Sequence, residues 1–178
     1  MTCPFGSGIF VDPEETGDMV AFTAGMGLLS VLDLVYFFYK KEIMLQELAQ
    51  KATENDVSDV EYDSIGESDQ EDLLMLDEFR LTLFVTAKSM KETIGLPLLI
   101  ETERVCRGSG RFRLFLSFTK KTVGGGIGKM GRFTAEDYGE NIPEEIERVL
   151  VYGPMEFISD TIKLVKEVGI SEEIIYVG

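Results

Sequence analysis

The sequence predicts an α/β fold with a doubly wound, five-stranded parallel sheet, and three observations support this prediction. Short apolar runs alternate along the chain with longer segments of helical periodicity. Glycine or proline lies at several of the junctions between them, as is typical of turns. Strands joined through helices form crossover connections and therefore a parallel sheet, and the right-handedness of such crossovers favours the doubly wound arrangement.

The five strands are predicted where apolar runs are short. They cover residues 19–23, 80–87, 112–119, 148–152 and 174–177. The first run, MVAFT, ends at a pair of glycines, and the fourth, RVLVY, runs directly into a Gly-Pro pair. Loops that follow parallel strands meet at one edge of the sheet, and ligands bind there at the point where the strand order reverses. We therefore expect binding residues in the loops after the first four strands.

The predicted helices connect these strands. They cover residues 28–40, with 42–52 as a continuation, then 97–106, a short helix from a Thr134 cap to Glu140, and 156–168. The first helix is apolar on nearly every side, so it needs cover from more than one direction. Pro97 suits the first turn of a helix, and Gly169 ends the last one.

An acidic segment separates the first helix from the second strand. Residues 54–78 hold eleven acidic residues and no lysine or arginine, which leaves a formal charge of −4 for the rest of the chain out of −15 in total. The segment is poor in aromatic residues and cannot bury enough apolar surface to order itself. We predict a mobile insertion, residues 54–78, within a single domain that spans residues 1–178.

Composition excludes several classes of function. The chain has no histidine, which removes Ser-His and Cys-His nucleophiles and the common histidine metal sites, so no catalytic or metal-binding residue is assigned. The net charge of −15 argues against nucleic acid as a partner. The N-terminus lacks a secretory pattern, and the apolar stretch 19–39 is interrupted by Gly25, Gly27, Ser30 and Asp33, which disfavours a membrane span.

Two glycine motifs follow predicted strands. Ala24-Gly25-Met26-Gly27 joins the first strand to a helix, where a pair of glycines lets backbone approach a pyrophosphate and the helix start offers free N–H groups. Tyr152-Gly153-Pro154-Met155 follows the fourth strand, where Gly153 would allow close approach of a flat ring. Taken singly, each motif is also compatible with an ordinary tight turn.

In combination the two motifs resemble the NAD(P)-binding domain of the ferredoxin–NADP reductase superfamily. The family pattern G-G-T-G-x-x-P corresponds to 24–30, and C-G-P-x-x-M corresponds to the segment that begins at Tyr152. Three further segments are similar to family elements: Pro4-Phe5-Gly6, residues 131–134 (GRFT) and the closing helix and strand at 166–176. The family's R-x-Y-S/T flavin motif has no counterpart. A longer glycine-rich run, 124–131, lacks the Ser or Thr of a phosphate loop and is interpreted as a flexible loop.

The resemblance implies a nicotinamide-binding module of a flavin-dependent oxidoreductase. Such a module positions NAD(P)H for hydride transfer to FAD, which is held only by a missing domain of the same parent protein, so the isolated chain is expected to be inactive. The implied pyrophosphate and nicotinamide contacts are Gly25, Met26 and Gly27. Those along the nicotinamide are Tyr152, Gly153, Pro154 and Met155. Those at the adenosine end are Lys88, Ser117 and Lys120 or Lys121.

The lysines and hydroxyls after the third strand predict a weak preference for NADP over NAD. The implied location is the cytoplasm, or the cytosolic face of a membrane reductase anchored by an upstream region.

Three departures from the family pattern support an alternative. Met26 replaces Thr, Ser30 replaces Pro and Tyr152 replaces Cys, so a degenerate module with an interaction or regulatory role and no nucleotide binding is the second hypothesis.

Overall fold

The computed structural model describes residues 17–54, 79–120 and 127–178, except for the side chains of Ala49 and of residues 51–54. The predicted insertion therefore lies outside the described residues beyond Glu54. Lys121, the Pro4-Phe5-Gly6 segment and residues 124–126 of the glycine-rich run also lie outside them.

All the predicted strands and helices are present in the described residues, with small shifts at their ends. The strands are β1 (Gly17–Ala24), β2 (Phe79–Ala87), β3 (Phe112–Phe118), β4 (Lys129–Met130), β5 (Arg148–Tyr152) and β6 (Ile175–Val177). The helices are α1 (Leu29–Glu54), α2 (Leu96–Cys106), α3 (Ala135–Asn141) and α4 (Met155–Glu167). One-turn 3₁₀ helices at Gly25–Leu28, Met90–Glu92 and Glu172–Ile174 complete the connections.

The six described strands form one sheet in the order β4-β3-β2-β1-β5-β6, and every pairing is parallel. This confirms the doubly wound α/β fold but corrects the strand count from five to six. The additional strand, β4, has two residues that pair with Ser117 and Phe118 of β3. It lies at the end of the glycine-rich run, where two residues are too few for a pattern of alternation to reveal a strand.

Helices cover both faces of the sheet. One core lies between the sheet and helices α1 and α2, and contains Val31 and Leu99 from those helices. The other lies under α3 and α4, and contains Tyr138 and Val165. The central strand β1 contributes to both cores and is buried from Met19 onward, as an interior parallel strand must be.

The helix ends follow local chemistry. Thr134 caps α3 in a capping box with Asp137, as the sequence predicts in part, and Asp137 also forms an ion pair with Lys129. Burial raises the pKa of Asp137, but the hydrogen bonds from Lys129 and Thr134 outweigh burial and hold that pKa below its usual value. Gly169, at φ 91°, follows the end of α4.

Among the described residues, no helix has the length and apolarity that crossing a membrane requires.

Candidate functional site

The strand order reverses at β1, and this places the two glycine motifs together. From β1 the chain proceeds through β2 and β3 to β4 on one side, whereas β5 pairs with the other side of β1 and leads to β6. The loops after β1 and β5 are therefore neighbours at the carboxyl edge of the sheet. This switch point is where an open α/β sheet forms its ligand crevice.

Gly27 makes the contact between the two loops. A Cβ atom on Gly27 would lie 2.5 Å from both the carbonyl carbon and the carbonyl oxygen of Tyr152, and 2.7 Å from the amide nitrogen of Gly153. Glycine is thus required at position 27, because the backbone of one loop packs directly against the backbone of the other. A Gly27→Val substitution would therefore force the two loops apart and perturb the fold itself.

Gly25 has a different environment. Its φ is +57°, in the left-handed region that favours glycine, and no atom lies within 4 Å of the position a Cβ would take. Gly153 is close-packed instead, since a Cβ there would lie 2.8 Å from the ring of Phe157 and 3.2 Å from Cβ of Ala24. Of these three glycines, Gly25 is the one whose open side faces space that a ligand could fill.

A cleft of about 400 Å³ runs along the carboxyl ends of β1, β2 and β3 and against α4. This volume is within the range of small-molecule sites. The strand ends and their loops contribute Ala24, Gly25, Thr86, Ala87, Lys88, Glu92 and Thr119. The remaining lining residues are Arg132, Phe133, Tyr138, Pro154, Glu156, Phe157, Asp160, Thr161 and Leu164.

The inner wall of the cleft is largely aromatic. Phe133 and Tyr138 are buried there beside Phe157 and Leu164. The hydroxyl groups of Tyr138 and Thr161 are hydrogen-bonded to each other, and burial raises the pKa of Tyr138 so that the phenol stays neutral at ordinary pH. An apolar wall with a few buried hydroxyl groups suits a planar ring that carries polar atoms.

The rim of the cleft is charged with both signs. Lys88 and Arg132 are the cations among the lining residues, and Glu92, Glu156 and Asp160 are the acids. Arg132 and Asp160 form an ion pair, with 3.0 Å between Nη1 and Oδ2.

Lys120 lies beside the rim, because backbone hydrogen bonding between the second and third strands continues past their ends. The N–H of Thr119 donates to the carbonyl of Ala87 at 3.0 Å, and that of Lys120 donates to the carbonyl of Lys88 at 2.8 Å. Both lysine side chains are exposed. The edge of the sheet beyond β2 and β3 therefore carries positive charge.

The structure brings most of the predicted residues to this edge of the sheet. Some of them line the cleft, and others lie beside it. Gly25, Lys88 and Pro154 line the cleft. Met26 and Met155 are exposed, by 68% and 79%, and lie at the switch point without lining the cleft. Tyr152 is half-buried, and that burial raises its pKa.

Ser117 does not lie where the sequence-based assignment requires. It is fully buried in β3, and its hydroxyl donates a hydrogen bond to the carbonyl of Gly131. Side chains alternate along β3, so Ser117 faces the opposite side of the sheet from Leu116 and Phe118. All three are buried because both faces of the sheet are covered. Ser117 is therefore left out of the proposed contact set, and Thr119 is the hydroxyl residue after β3 that lines the cleft.

Sequence reasoning missed the wall formed by α4. Glu156 and Asp160 are four residues apart, as are Phe157 and Thr161, with Leu164 three further on. Residues at this spacing share one face of a helix. Their position just after the Gly-Pro motif is the signal that could have identified them as lining residues.

No protein-family model matches the sequence, and no curated protein matches it. Solved structures similar to this chain include the cytochrome b5 reductase domain of Ulva prolifera nitrate reductase, with a TM-score of 0.62 and 9% identity over 93% of this chain and 49% of that one. The CS-b5R domains of human Ncb5or, in an NAD+ form, have a TM-score of 0.59 and 15% identity over 93% of this chain and 37% of that one. Amycolatopsis cytochrome P450 reductase GcoB has a TM-score of 0.58 and 17% identity over 98% of this chain and 41% of that one.

These similarities confirm the ferredoxin–NADP reductase-like fold that the two motifs predict. Because the sequence identities are below 20%, these similarities show a shared fold only. The chain spans between 33% and 54% of the length of six such structures.

Proposed function

We propose that this chain is the NAD(P)-binding domain of a flavin-dependent reductase and that the cleft along the strand ends holds the dinucleotide. The observation that carries the proposal is the switch point itself. There Gly27 lets the loops after β1 and β5 pack on each other, and Gly25 leaves open space at the head of the cleft. Both loops lead into helical segments, the 3₁₀ turn at Gly25–Leu28 and α4, and the first N–H groups of such segments have no intrahelical partner, so they would stabilise a pyrophosphate at this edge.

The residues along the cleft fit a dinucleotide in one orientation. The pyrophosphate would lie beside Gly25, and the nicotinamide would lie along Tyr152, Gly153 and Pro154 at the switch point. The adenosine end would extend past β2 toward Lys88. The aromatic inner wall gives this cleft the apolar surface that burying a planar base requires.

In this proposal the chemistry belongs to the cofactors, since nicotinamide supplies a hydride and a flavin accepts it. The flavin would be held by another domain of the same parent protein, and the chain by itself would not turn over. Met26 and Met155 support this division, because they are large, apolar and exposed at the end of the cleft where the nicotinamide would lie. Flexible methionine side chains are well suited to pack against a partner domain. We place the parent reductase in the cytoplasm or on the cytosolic face of a membrane.

The binding test uses two glycines with matched backbones. Gly25 and Gly110 both have left-handed φ angles, +57° and +68°, and both have open space where a Cβ would be, but Gly110 is in a turn away from the cleft. Asparagine tolerates left-handed backbone, so Gly25→Asn and Gly110→Asn carry similar strain. We expect calorimetric titration with NADPH to show saturable binding by the unmodified chain and by Gly110→Asn, and a loss of at least tenfold in Gly25→Asn.

Two results would contradict the proposal. Equal affinity in the two asparagine variants would move the ligand away from Gly25. Absence of binding by the unmodified chain to both NADPH and NADH would favour the alternative, an interaction or regulatory module that does not bind nucleotide.

A modest preference for NADPH is part of the proposal. Lys88 and Lys120, on hydrogen-bonded segments at the adenosine end, would attract a 2′-phosphate that NADH lacks. Lys121, the third lysine expected here, lies outside the described residues and stays a prediction. Exposed charge contacts contribute about 0.2–1 kcal/mol each, so Lys88→Gln/Lys120→Gln should weaken NADPH binding about twofold to thirtyfold and NADH binding much less.

The matched control for this test is Lys40→Gln/Lys163→Gln, which makes the same change in net charge at exposed helix positions away from the cleft. The measurement is titration with both nucleotides at low and at physiological salt. Tighter binding of NADH by the unmodified chain at both salts would reject the preference. Equal losses in the two double variants would reject the assignment of the lysines.

A further inference from the structure

The ion pair between Arg132 and Asp160 connects two parts of the cleft rim. Arg132 lies on the connection between β4 and α3, and Asp160 lies in α4, and both residues line the cleft. The pair is solvent-exposed, with 72% of the Arg132 side chain and 51% of the Asp160 side chain accessible. Twenty-eight residues separate the two in sequence, so the contact depends on the fold.

A pair this exposed contributes little to stability, because water screens it and two long side chains are held in one geometry. A phosphate monoester, such as the 2′-phosphate of NADPH, carries more charge than a carboxylate and presents several acceptor oxygens, which the planar guanidinium can bind in a bidentate manner. In a cleft that receives a phosphorylated ligand, Arg132 would therefore exchange the Asp160 carboxylate for phosphate oxygens.

We propose that Asp160 is a specificity-determining residue, whose carboxylate occupies Arg132 in the free protein and competes with the phosphate of an incoming nucleotide. This inference rests on the proposed function, since it takes a nucleotide to be the ligand of the cleft. Once displaced, the carboxylate remains near the bound phosphate and opposes it. Its effect grows with the number of phosphate charges, so Asp160 limits the preference that Lys88 and Lys120 create for the more highly charged nucleotide.

The other acids of the rim have different surroundings. Glu92 follows β2 and accepts a hydrogen bond from the hydroxyl of Ser89 at 3.3 Å. Glu156 lies one turn before Asp160, in the first turn of α4. Asp160 is the carboxylate that the structure pairs with Arg132, so its removal should act through that arginine rather than through general charge alone.

The test is a double-mutant cycle on the full chain, with NADPH, NADH and 2′,5′-ADP as probes. Asp160→Asn keeps the size of the side chain and removes its charge. We expect the Kd for 2′,5′-ADP and NADPH to fall about twofold to fivefold, which corresponds to the usual strength of an exposed ion pair. The Kd for NADH should fall less, and the gain should be smaller when Asp160→Asn is made in an Arg132→Ala background, where only the direct repulsion between carboxylate and phosphate is left to remove.

The control is Glu101→Gln on α2, which breaks an exposed ion pair with Arg104 of 2.7 Å that does not line the cleft. It should leave all three Kd values unchanged. The inference is overturned if Asp160→Asn does not tighten binding, or if it tightens binding equally with and without Arg132. A failure of the proposed function is distinguishable, because then the unmodified chain binds none of the probes.

Discussion

Replacing Gly27 by alanine tests how the two glycine motifs are held together. The new Cβ would lie 2.5 Å from the Tyr152 carbonyl, whereas non-bonded carbon atoms pack at about 3.5–4.0 Å. The obstructing atoms are backbone and cannot rotate away, so the loops after β1 and β5 must separate by roughly 1 Å. Overpacking of this kind costs about 1–3 kcal/mol. In a domain of this length that loss lowers the Tm by about 2–12 °C.

The assay is thermal and urea unfolding followed by circular dichroism. Gly108→Ala is the matched control, because Gly108 lies in the turn after α2 with no atom within 4 Å of the position of a Cβ. The control should stay within about 0.5 kcal/mol of the unmodified chain. Equal unfolding midpoints for the two variants would refute the conclusion that Gly27 is required for packing.

Four further outcomes are expected. Thr134→Ala should destabilise the chain by about 1 kcal/mol through loss of the α3 cap, seen as a Tm lower by about 2–4 °C. The lowered pKa of Asp137 stabilises the fold above the unfolded pKa of about 4, and this contribution is lost as pH falls through the folded value, so Asp137→Asn should flatten the acid limb of a stability–pH curve. Burial raises the pKa of Cys106 to about 12, so in a Cys3→Ser background the thiol reagent DTNB should label the chain at pH 8 only as fast as it unfolds. Replacing residues 55–78 by a short Gly-Ser linker should change the Tm little, since loop length contributes weakly to stability, and a large drop would contradict this.

The sequence was sufficient for the order and type of the main elements, because each has a periodic apolar pattern several residues long. It was not sufficient for β4, because two residues are too few to show a periodic apolar pattern. The N-terminal end of α1 also differs, since Gly25–Leu28 forms a 3₁₀ turn before the helix. The continuation of α1 to Glu54 confirms the prediction that residues 42–52 extend the first helix.

Site residues were predictable where the backbone geometry requires a particular residue type, as in the glycine motifs. They were not predictable where tertiary contacts determine the surroundings of a side chain. Gly25 and Gly27 were identified together, yet one faces the cleft and the other packs on Tyr152, a difference that depends on a strand more than a hundred residues later. Ser117 was chosen for its chemistry, and it is buried because both faces of β3 are covered. The pairing of Arg132 with Asp160 has no local signal, because neither residue is near the other in sequence.

Within the described residues, the sheet ends at both sides in very short strands, and this affects how the domain can associate with other proteins. β4 has two residues and β6 has three, so either edge offers few backbone groups in register to a strand from another molecule. Short edge strands are a common protection against sheet-to-sheet aggregation. The edge strands carry Met130, Tyr176 and Val177, each about half exposed, whereas the more exposed Met26 and Met155 lie at the carboxyl ends of β1 and β5. A partner that buries Met26 and Met155 would therefore meet the domain end-on, across the tips of the strands.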